Sequence, residues 1–338
     1  MKLAIFAYSR RGCETARRII EFLHEDETRA FASARLEQPD FAPTEKPTVP
    51  FYGAEFSWAD AMIFVGSCGI AVREIAPHVR DKRTDPAVLC VDELGHFVIP
   101  ILSGHIGGAN ALAGKLAGCL SAVPVITTAT DINHKFSVDA WAASQGFAIG
   151  SMKLAKAVSA AILEGDVPMA SQLPVAGNYP PGTVPGETGP LGIHIGWSTE
   201  NPFIETLHLI APVLHLGIGC RKGTARDAIA QAVETVLREN HIDKRAIRCA
   251  ASIDLKAEEA GLLEYCKEQN LPIRFYTGET LAAVEGDFTP SAFVKSITGV
   301  DTVCERSAMM GADRLIVKKT ALSGVTVAVA AEHREVSF

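Results

Sequence analysis

Short apolar runs alternate along the chain with segments in which apolar side chains recur every three or four residues. Residues 15–23 have the second pattern and predict a helix, and residues 92–95 predict the turn of a β-hairpin. Strands alternating with helices are typical of an α/β protein with mostly parallel sheets. The strands predicted in the first half of the chain are residues 2–8, 59–65, 87–91, 97–102 and 123–127.

Proline, glycine and charged residues predict where loops lie and where helices end. Residues 39–50 contain four prolines and predict a surface loop. Residues 70–76 predict a helix that ends or bends at Pro77, and residues 80–85 predict a charged loop.

A second α/β pattern begins near Pro212, after a less distinctive region. From residue 136 the pattern is helical, and residues 174–192, with five prolines and five glycines, predict a linker or exposed loop. We therefore expect N-terminal and C-terminal α/β domains, residues 1–134 and 212–338, joined by a smaller middle region, residues 135–211. The C-terminal elements are strands 213–218, 248–253, 271–276, 315–319 and 325–330, with helices 225–238, 258–269, 291–297 and 303–310.

Composition narrows the class of protein. The 338 residues are 48% apolar and 21% charged with a net charge of −7, which is ordinary globular composition and argues against nucleic-acid binding. Eight scattered cysteines and ten dispersed histidines give no disulfide framework and no protein-bound metal motif. Because neither a signal peptide nor a membrane-spanning segment is indicated, we expect a cytoplasmic protein.

Residues 99–116 form the stretch around which the candidate chemistry is organised. The pattern predicts a strand, then a glycine-rich loop with Ser103, His105 and Asn110 in or beside it, and then a helix with Leu112 and Leu116 at helical spacing. A titratable imidazole beside a helix start makes a plausible reaction centre. The alternative is a tight strand-to-helix turn with a solvated histidine.

Two other loops are suited to hold anions. Residues 217–224 combine glycines with Arg221 and Lys222 before a helix, and residues 66–69 precede a helix that carries Arg73. The alternatives are a solvated turn for the first loop and close strand–helix packing for the second. A dinucleotide site is not indicated, because the third glycine of G-x-G-x-x-G is displaced by one position.

Candidate acid–base residues cluster in the N-terminal domain. Ligands of α/β sheets bind at the carboxyl ends of strands, and the loops at Gly66, Ser103 and Thr127 all follow predicted strands. His105 is the leading candidate because histidine titrates near neutral pH. The full set of candidates is Glu74, Asp92, Glu93, His96, His105 and Asp131.

Three motifs together resemble the CbiG family of cobalamin biosynthesis. They are GSCGIAVR (66–73), PILSGHIGGAN (100–110) and LGIGCRKGT (216–224). The resemblance covers residues 49–131 and 212–331, whereas the middle region matches only in position and general character.

The resemblance implies a hydrolase that acts on cobalt-precorrin-5A. The family opens a δ-lactone on the macrocycle and releases acetaldehyde, giving cobalt-precorrin-5B in anaerobic cobalamin biosynthesis. No cofactor is then bound by the protein, because the cobalt is carried by the substrate. The implied partner is this small-molecule cobalt-tetrapyrrole, with neither nucleic acid nor membrane involved, and a homodimer or transient contacts with other pathway enzymes are left open.

Roles for individual residues follow as hypotheses. His105 acts as the base, Glu74 as a second acid–base group, and the amides of Gly107 and Gly108 as oxyanion donors, with Ser103 in the same catalytic set. The alternative function is a non-catalytic tetrapyrrole carrier or scaffold in the same pathway. The predicted substrate-binding residues are Gly66, Ser67, Gly69, Arg73, Gly217, Gly219, Arg221, Lys222, Gly223 and Thr224.

Overall fold

The computed structural model describes residues 1–81, 84–105 and 107–338. Lys82 and Arg83 of the predicted charged loop, and Ile106 of the central stretch, lie outside the described residues. The chain separates into two compact units, Met1–Ala140 and Trp141–Phe338. Within the described residues no helix is long and apolar enough to cross a membrane.

The first unit is built on a seven-stranded sheet. Its strands are β1 (Lys2–Ala7), β2 (Glu27–Ala32), β3 (Ala42–Pro43), β4 (Ala61–Val65), β5 (Ala87–Val91), β6 (Phe97–Leu102) and β7 (Val123–Pro124), in the order β3-β2-β1-β4-β5-β6-β7. The helices along this part of the chain are α1 (Arg10–Phe22), α2 (Thr48–Trp58), α3 (Cys68–Ile75), α4 (Ala109–Leu120), α5 (Ala129–Ile132) and α6 (Val138–Ser144).

The direction of β6 decides where the loops of this unit lie. Strands β1 to β5 are parallel, but β6 runs antiparallel to β5, with Val98 opposite Val91 and Leu102 opposite Val88. The end of β6 therefore lies at the edge of the sheet where β4 and β5 begin. Because β7 is parallel to β6, the loop after β7 shares that edge.

Alternate residues of the central strands pack on opposite faces of the sheet. Leu3 and Ile5 join the cluster formed with α1 and α4, whereas Phe6 belongs to an aromatic cluster on the other face. The rings of Phe6 and Phe64 stack with their centroids 4.9 Å apart. Burial on both faces explains why these strands are continuous apolar runs in the sequence.

Several elements differ from their predicted form. The first helix begins at Arg10 and not at residue 15, because the Ser9 hydroxyl caps it by accepting a hydrogen bond from the Gly12 amide. The segment predicted as a proline-rich loop contains the start of α2, which begins at Thr48. Proline is tolerated in the first turn of a helix, where amides lack intrahelical partners, so Pro50 does not prevent this helix.

The second unit contains two five-stranded sheets. The first sheet comprises β8 (Ala148–Ile149), β9 (Val167–Ser171), β10 (Thr183–Pro185), β11 (Leu191–Gly196) and β12 (Glu205–Ile210), in the order β10-β9-β11-β12-β8. The second comprises β13 (Leu214–Cys220), β14 (Ile247–Ile253), β15 (Ile273–Tyr276), β16 (Arg314–Leu322) and β17 (Val325–Ala331), in the order β15-β14-β13-β17-β16. The helices are α7 (Met152–Glu164), α8 (Arg226–Glu239), α9 (Ala260–Glu268), α10 (Gly278–Ala282), α11 (Ala292–Thr298) and α12 (Val303–Met309).

The helical pattern that begins at residue 136 is confirmed by α6 and α7, but the middle region also forms a sheet that was not predicted. Strand β11 pairs in parallel with both β9 and β12, and the segment predicted as a linker, residues 174–192, contains β10 and the start of β11. The short strands are interrupted by proline and glycine, which hides their period of two from local analysis. The prediction of mostly parallel α/β sheets is confirmed for the fold as a whole.

A histidine pair in the middle sheet, with His194 buried and His208 half-buried, gives a testable pH dependence. His194 on β11 is the register partner of His208 on β12, with the ring centroids 5.3 Å apart. Burial, and then the charge of His208, lower the pKa of His194 to about 4. The unfolded chain therefore binds a proton that the folded protein does not, so stability is lost as pH falls from about 6.5 to about 4.

Because the unfolded chain takes up this proton, we expect the free energy of unfolding to fall by about 2 kcal/mol between pH 7 and pH 5 through His194 alone. Urea denaturation of wild type and His194→Leu at the two pH values measures this loss, and the variant should lose less stability on acidification. His333→Gln is the matched control, because His333 is exposed. An equal loss in His194→Leu and wild type would contradict the assignment.

Candidate active site

The loop between β6 and α4 folds back on its own backbone. The amides of Ala109 and Asn110 donate to the carbonyls of Ser103 and Gly104, at 3.1 and 2.9 Å. A side chain on Gly107 would place its Cβ only 2.3 Å from the Ser103 Cβ, so glycine is required at this position. These contacts hold the loop compactly at the start of α4.

His105 lies between two carboxylates. Its Nε2 is 2.8 Å from Asp131 Oδ2, its Nδ1 is 3.4 Å from Asp139 Oδ1, and the Thr130 hydroxyl is 3.3 Å from Nε2. The contact with Asp139, together with that to Asp131, raises the pKa of His105 against the opposing effect of burial. The protonated imidazole is therefore favoured while both carboxylates remain ionised.

Asn110 orients one of these carboxylates. Its Nδ2 donates to Asp131 Oδ2 at 3.0 Å and to the Thr128 hydroxyl at 2.8 Å. The Asn110 side chain thereby links the first turn of α4 to α5, which carries Asp131. Asp131 is held on the Nε2 side of His105, in the manner of a carboxylate that orients a catalytic imidazole.

A cavity of about 290 Å³ lies beside His105. Its lining includes Asp139 from the Nδ1 side of the ring, and Asn110 and Thr128 from the Nε2 side. The volume suits one edge of a large ligand rather than a whole macrocycle. The lining residues are Pro100, Ile101, Leu102, Ser103, Gly104, His105, Asn110, Thr127, Thr128 and Asp139.

Two members of the predicted catalytic set already have partners within the loop. The Ser103 hydroxyl donates to the Asp85 carbonyl at 3.0 Å, and the Gly108 amide donates to the His105 carbonyl at 2.9 Å. In this arrangement the Gly108 amide is not available as an oxyanion donor. The role of the Gly107 amide stays a prediction.

The loops at Gly66, Ser103 and Thr127 each follow a strand, as predicted, but they do not all lie at one edge of the sheet. The Ser103 and Thr127 loops do line the same cavity. The Gly66 amide instead donates to the Val91 carbonyl at 2.8 Å, at the opposite edge, because β6 is antiparallel to β5. The structure therefore does not bring Glu74, which follows this loop on α3, to His105.

A different group of side chains lies near Glu74. The hydroxyls of Tyr8 and Tyr52 are 2.8 Å apart, and the Tyr8 ring packs against Gly66 at the ends of β1 and β4. Burial raises the pKa of Tyr52, and the charge of Glu74 adds to this effect. This is the point where the strand order reverses, a common ligand position in open α/β sheets. The predicted substrate contacts of Gly66, Ser67, Gly69 and Arg73 belong to this edge and stay predictions.

The glycines of the C-terminal motif have packing roles. Gly217 and Gly219 lie within β13, where an added Cβ would be 1.8 Å from the Cys304 carbonyl oxygen and 2.6 Å from the Thr326 hydroxyl. Strand β13 can therefore approach α12 and β17 only with glycine at these positions. This close approach explains both glycines without a ligand.

Some polar groups of the loop that follows β13 already have hydrogen-bond partners within the protein. The Gly223 amide donates to the Glu259 carboxylate, which also pairs with Lys256. The Thr224 hydroxyl donates to the Arg221 carbonyl at 2.7 Å. Arg221 and Lys222 are exposed, and their binding of substrate carboxylates stays a prediction.

Metal-ligating side chains do not converge in the part of the chain that the structure describes. No group of three or more histidine, cysteine, aspartate or glutamate side chains is placed there to hold a metal ion. All eight cysteines are free thiols.

Comparison with known proteins gives consistent matches along the chain. The family model "Cobalamin synthesis G N-terminal" matches residues 51–131, and "Cobalamin synthesis G C-terminus" matches residues 214–330. The cobalt-precorrin-5A hydrolase of Salmonella typhimurium is 31% identical over 98% of this chain and 98% of that protein. This chain belongs to the CbiG family. The resemblance seen in its three motifs is thus confirmed.

Two further relatives extend the comparison. The cobalt-precorrin-5A hydrolase of Priestia megaterium is 30% identical over 97% of this chain and 94% of that protein. Protein CobE of Sinorhizobium sp is 33% identical over 35% of this chain and 79% of that protein. CbiG-type similarity therefore spans nearly the whole chain.

The CbiG N-terminal match contains most of the His105 site. His105, Asn110 and Asp131 lie within residues 51–131, whereas Asp139 lies beyond its end. The sequence pattern indicates Asp131 only as one of several acid–base candidates and does not indicate Asp139. No local signal distinguishes Asp139, because it meets His105 only through the packing of α6.

Proposed function

We propose that this protein is a cobalt-precorrin-5A hydrolase, which opens the δ-lactone of its substrate and releases acetaldehyde to give cobalt-precorrin-5B. The observation that carries the proposal is the similarity to two proteins of this name over 97% or more of the chain. The histidine–carboxylate cavity of the first unit supplies groups suited to ester hydrolysis.

His105 is the proposed base of the reaction, acting through Nδ1. Asp131, oriented by Asn110, holds the proton on Nε2, which leaves Nδ1 to accept a proton. Water loses this proton as its oxygen bonds to the lactone carbonyl carbon. The bond from that carbon to the ring oxygen then breaks, and the departing oxygen takes up a proton to become a hydroxyl.

Acetaldehyde release needs a second proton transfer. When the new hydroxyl loses its proton, the carbon–carbon bond to the macrocycle breaks and acetaldehyde leaves. The conjugated macrocycle accepts the electron pair and is then protonated. The same imidazole can serve both steps, because it returns to the neutral form between them.

We also propose that no metal or cofactor is bound by the protein, since the cobalt enters with the substrate. The proposed location is the cytoplasm, where reduced thiols such as the eight free cysteines are the rule. The first unit carries the hydrolysis, and the C-terminal region binds tetrapyrrole. The proposed domain boundaries remain near residues 134 and 211.

An acetaldehyde assay tests this function. The full chain is incubated with cobalt-precorrin-5A after chelator treatment, and acetaldehyde is measured against substrate consumed. We expect one acetaldehyde for each substrate, with no loss of rate after chelation. Binding of the substrate without acetaldehyde would instead favour a carrier. Loss of turnover on chelation and its recovery with zinc would show that a protein-bound metal is required.

A further inference from the structure

The second unit contains a cavity of about 600 Å³, roughly twice the volume of the cavity beside His105. It lies between α8, α9 and residues 242–245, which precede β14. Pockets of several hundred cubic ångströms are typical of sites for small organic ligands. The lining residues are Thr199, Ala230, Val233, Glu234, Leu237, Arg238, Ile242, Asp243, Lys244, Arg245, Tyr265 and Gln269.

This cavity is distinct from the anion-holding loop predicted in the same unit. Strands β13 and β14 are parallel, with Leu214 opposite Ile247, so residues 242–245 lie at the edge where both strands begin. The loop of Arg221 and Lys222 follows the end of β13 and therefore lies at the other edge.

The floor of the cavity is apolar except for one hydroxyl. Val233, Leu237 and Ile242 are each less than 8% exposed. Tyr265 is 7% exposed, and its hydroxyl has no hydrogen-bond partner among the described residues. Burial raises the pKa of Tyr265 to about 12, so the hydroxyl remains a donor at neutral pH. The Tyr265 oxygen is not itself buried, so it can donate to an acceptor of a ligand in the cavity.

The rim of the cavity carries an excess of positive charge. Asp243 pairs with Arg245, with Nη2 and Oδ2 2.7 Å apart. Arg238 and Lys244 are exposed, and within the described parts of the chain no carboxylate lies at ion-pair distance from either. Glu234 is the other acidic residue of the lining, so three cations face two carboxylates.

We propose that this cavity binds a carboxylate-bearing tetrapyrrole. The apolar floor contacts the macrocycle, Arg238 and Lys244 pair with its carboxylates, and the Tyr265 hydroxyl donates to a carboxylate oxygen. The choice of a tetrapyrrole, from among apolar polycarboxylates, rests on the proposed function. The site is formed entirely by residues of the second unit.

Binding of coproporphyrin III to the full chain tests the site, with fluorescence as the readout. We expect saturable binding that weakens with added salt and a loss of about tenfold or more in affinity for Arg238→Gln/Lys244→Gln. Tyr265→Phe, which removes only the hydroxyl, should weaken binding several-fold. Lys153→Gln/Lys156→Gln is the matched control, because it removes the same charge from the exposed surface of α7 in the same unit. The tetramethyl ester of the porphyrin should bind more weakly than the free acid.

The outcomes separate this proposal from the proposed function. Unchanged affinity in the Arg238/Lys244 double variant overturns the cavity site, whatever the acetaldehyde assay gives. Weakened binding in Arg221→Gln/Lys222→Gln alone would place the carboxylates at the predicted loop and likewise overturn it. If the cavity variants lose porphyrin binding but the wild type releases no acetaldehyde, the cavity site stands and the hydrolase function fails. Thermal unfolding of each variant shows whether it remains folded.

Discussion

Replacement of His105 by alanine is expected to slow acetaldehyde release about a hundredfold to ten-thousandfold, the usual contribution of a positioned acid–base group. The residue lies between Asp131 and Asp139 beside the cavity of the first unit, and among the described residues it is the one histidine that lines this cavity. Single-turnover acetaldehyde release measures the effect. Thermal unfolding and substrate binding should change little, because His105 is half-buried and belongs to neither hydrophobic cluster of this unit.

His105→Gln distinguishes proton transfer from substrate positioning. Glutamine can donate a hydrogen bond but cannot take a proton from water, so this variant should be nearly as slow as the alanine variant. A glutamine variant with most of the wild-type rate would assign His105 a positioning role. An alanine variant with full activity would mean that the loop is only a turn, and the site assignment would fail.

The pH dependence of the wild type gives an independent check on His105. A base acts in its neutral form, and the two carboxylates raise the pKa of His105 above its ordinary value of 6.5. The rate should therefore rise with pH through a value above 6.5. An acid limb centred below that value would contradict the proposed environment.

Replacement of Asp131 by alanine is expected to slow acetaldehyde release about a hundredfold. The carboxylate makes the short 2.8 Å contact with Nε2 and is itself held by Asn110, so its loss frees the ring to rotate and to change its tautomer. Misplacement of a catalytic group by about 1 Å can have an effect of this size. Full activity in Asp131→Ala would exclude an orienting role.

Asp131→Asn is the matched variant, because it keeps an oxygen that can accept from Nε2–H but removes the charge. We expect it to retain much more of the rate than Asp131→Ala. Its acid limb should move to lower pH, since one of the two carboxylates that raise the pKa of His105 is gone. An unchanged pH profile would show that Asp131 does not act on His105.

Strands buried on both faces could be predicted from the sequence with good accuracy. Strands β1 and β5 are continuous apolar runs, and the turn at residues 92–95 indicated that β5 and β6 form a hairpin. The loop around His105 was also found, because glycines and a histidine between a strand and a helix form a local pattern. Short strands such as β9 were missed, since proline interrupts their alternation.

The composition of the site depended on contacts that no local pattern encodes. The hairpin itself implies that β6 runs against β5. Only strand pairing shows that β7 runs parallel to β6, beside its first residues, and that Glu74 lies at the other edge. Asp139 is 34 residues further along the chain than His105, and the packing of α6 brings the two side chains together. The packing of α5 in the same way brings Asp131 to Asn110. The sequence by itself determined the strands, the loop and the family. Only the tertiary structure decided which side chains meet, because that depends on strand direction and helix packing between distant segments.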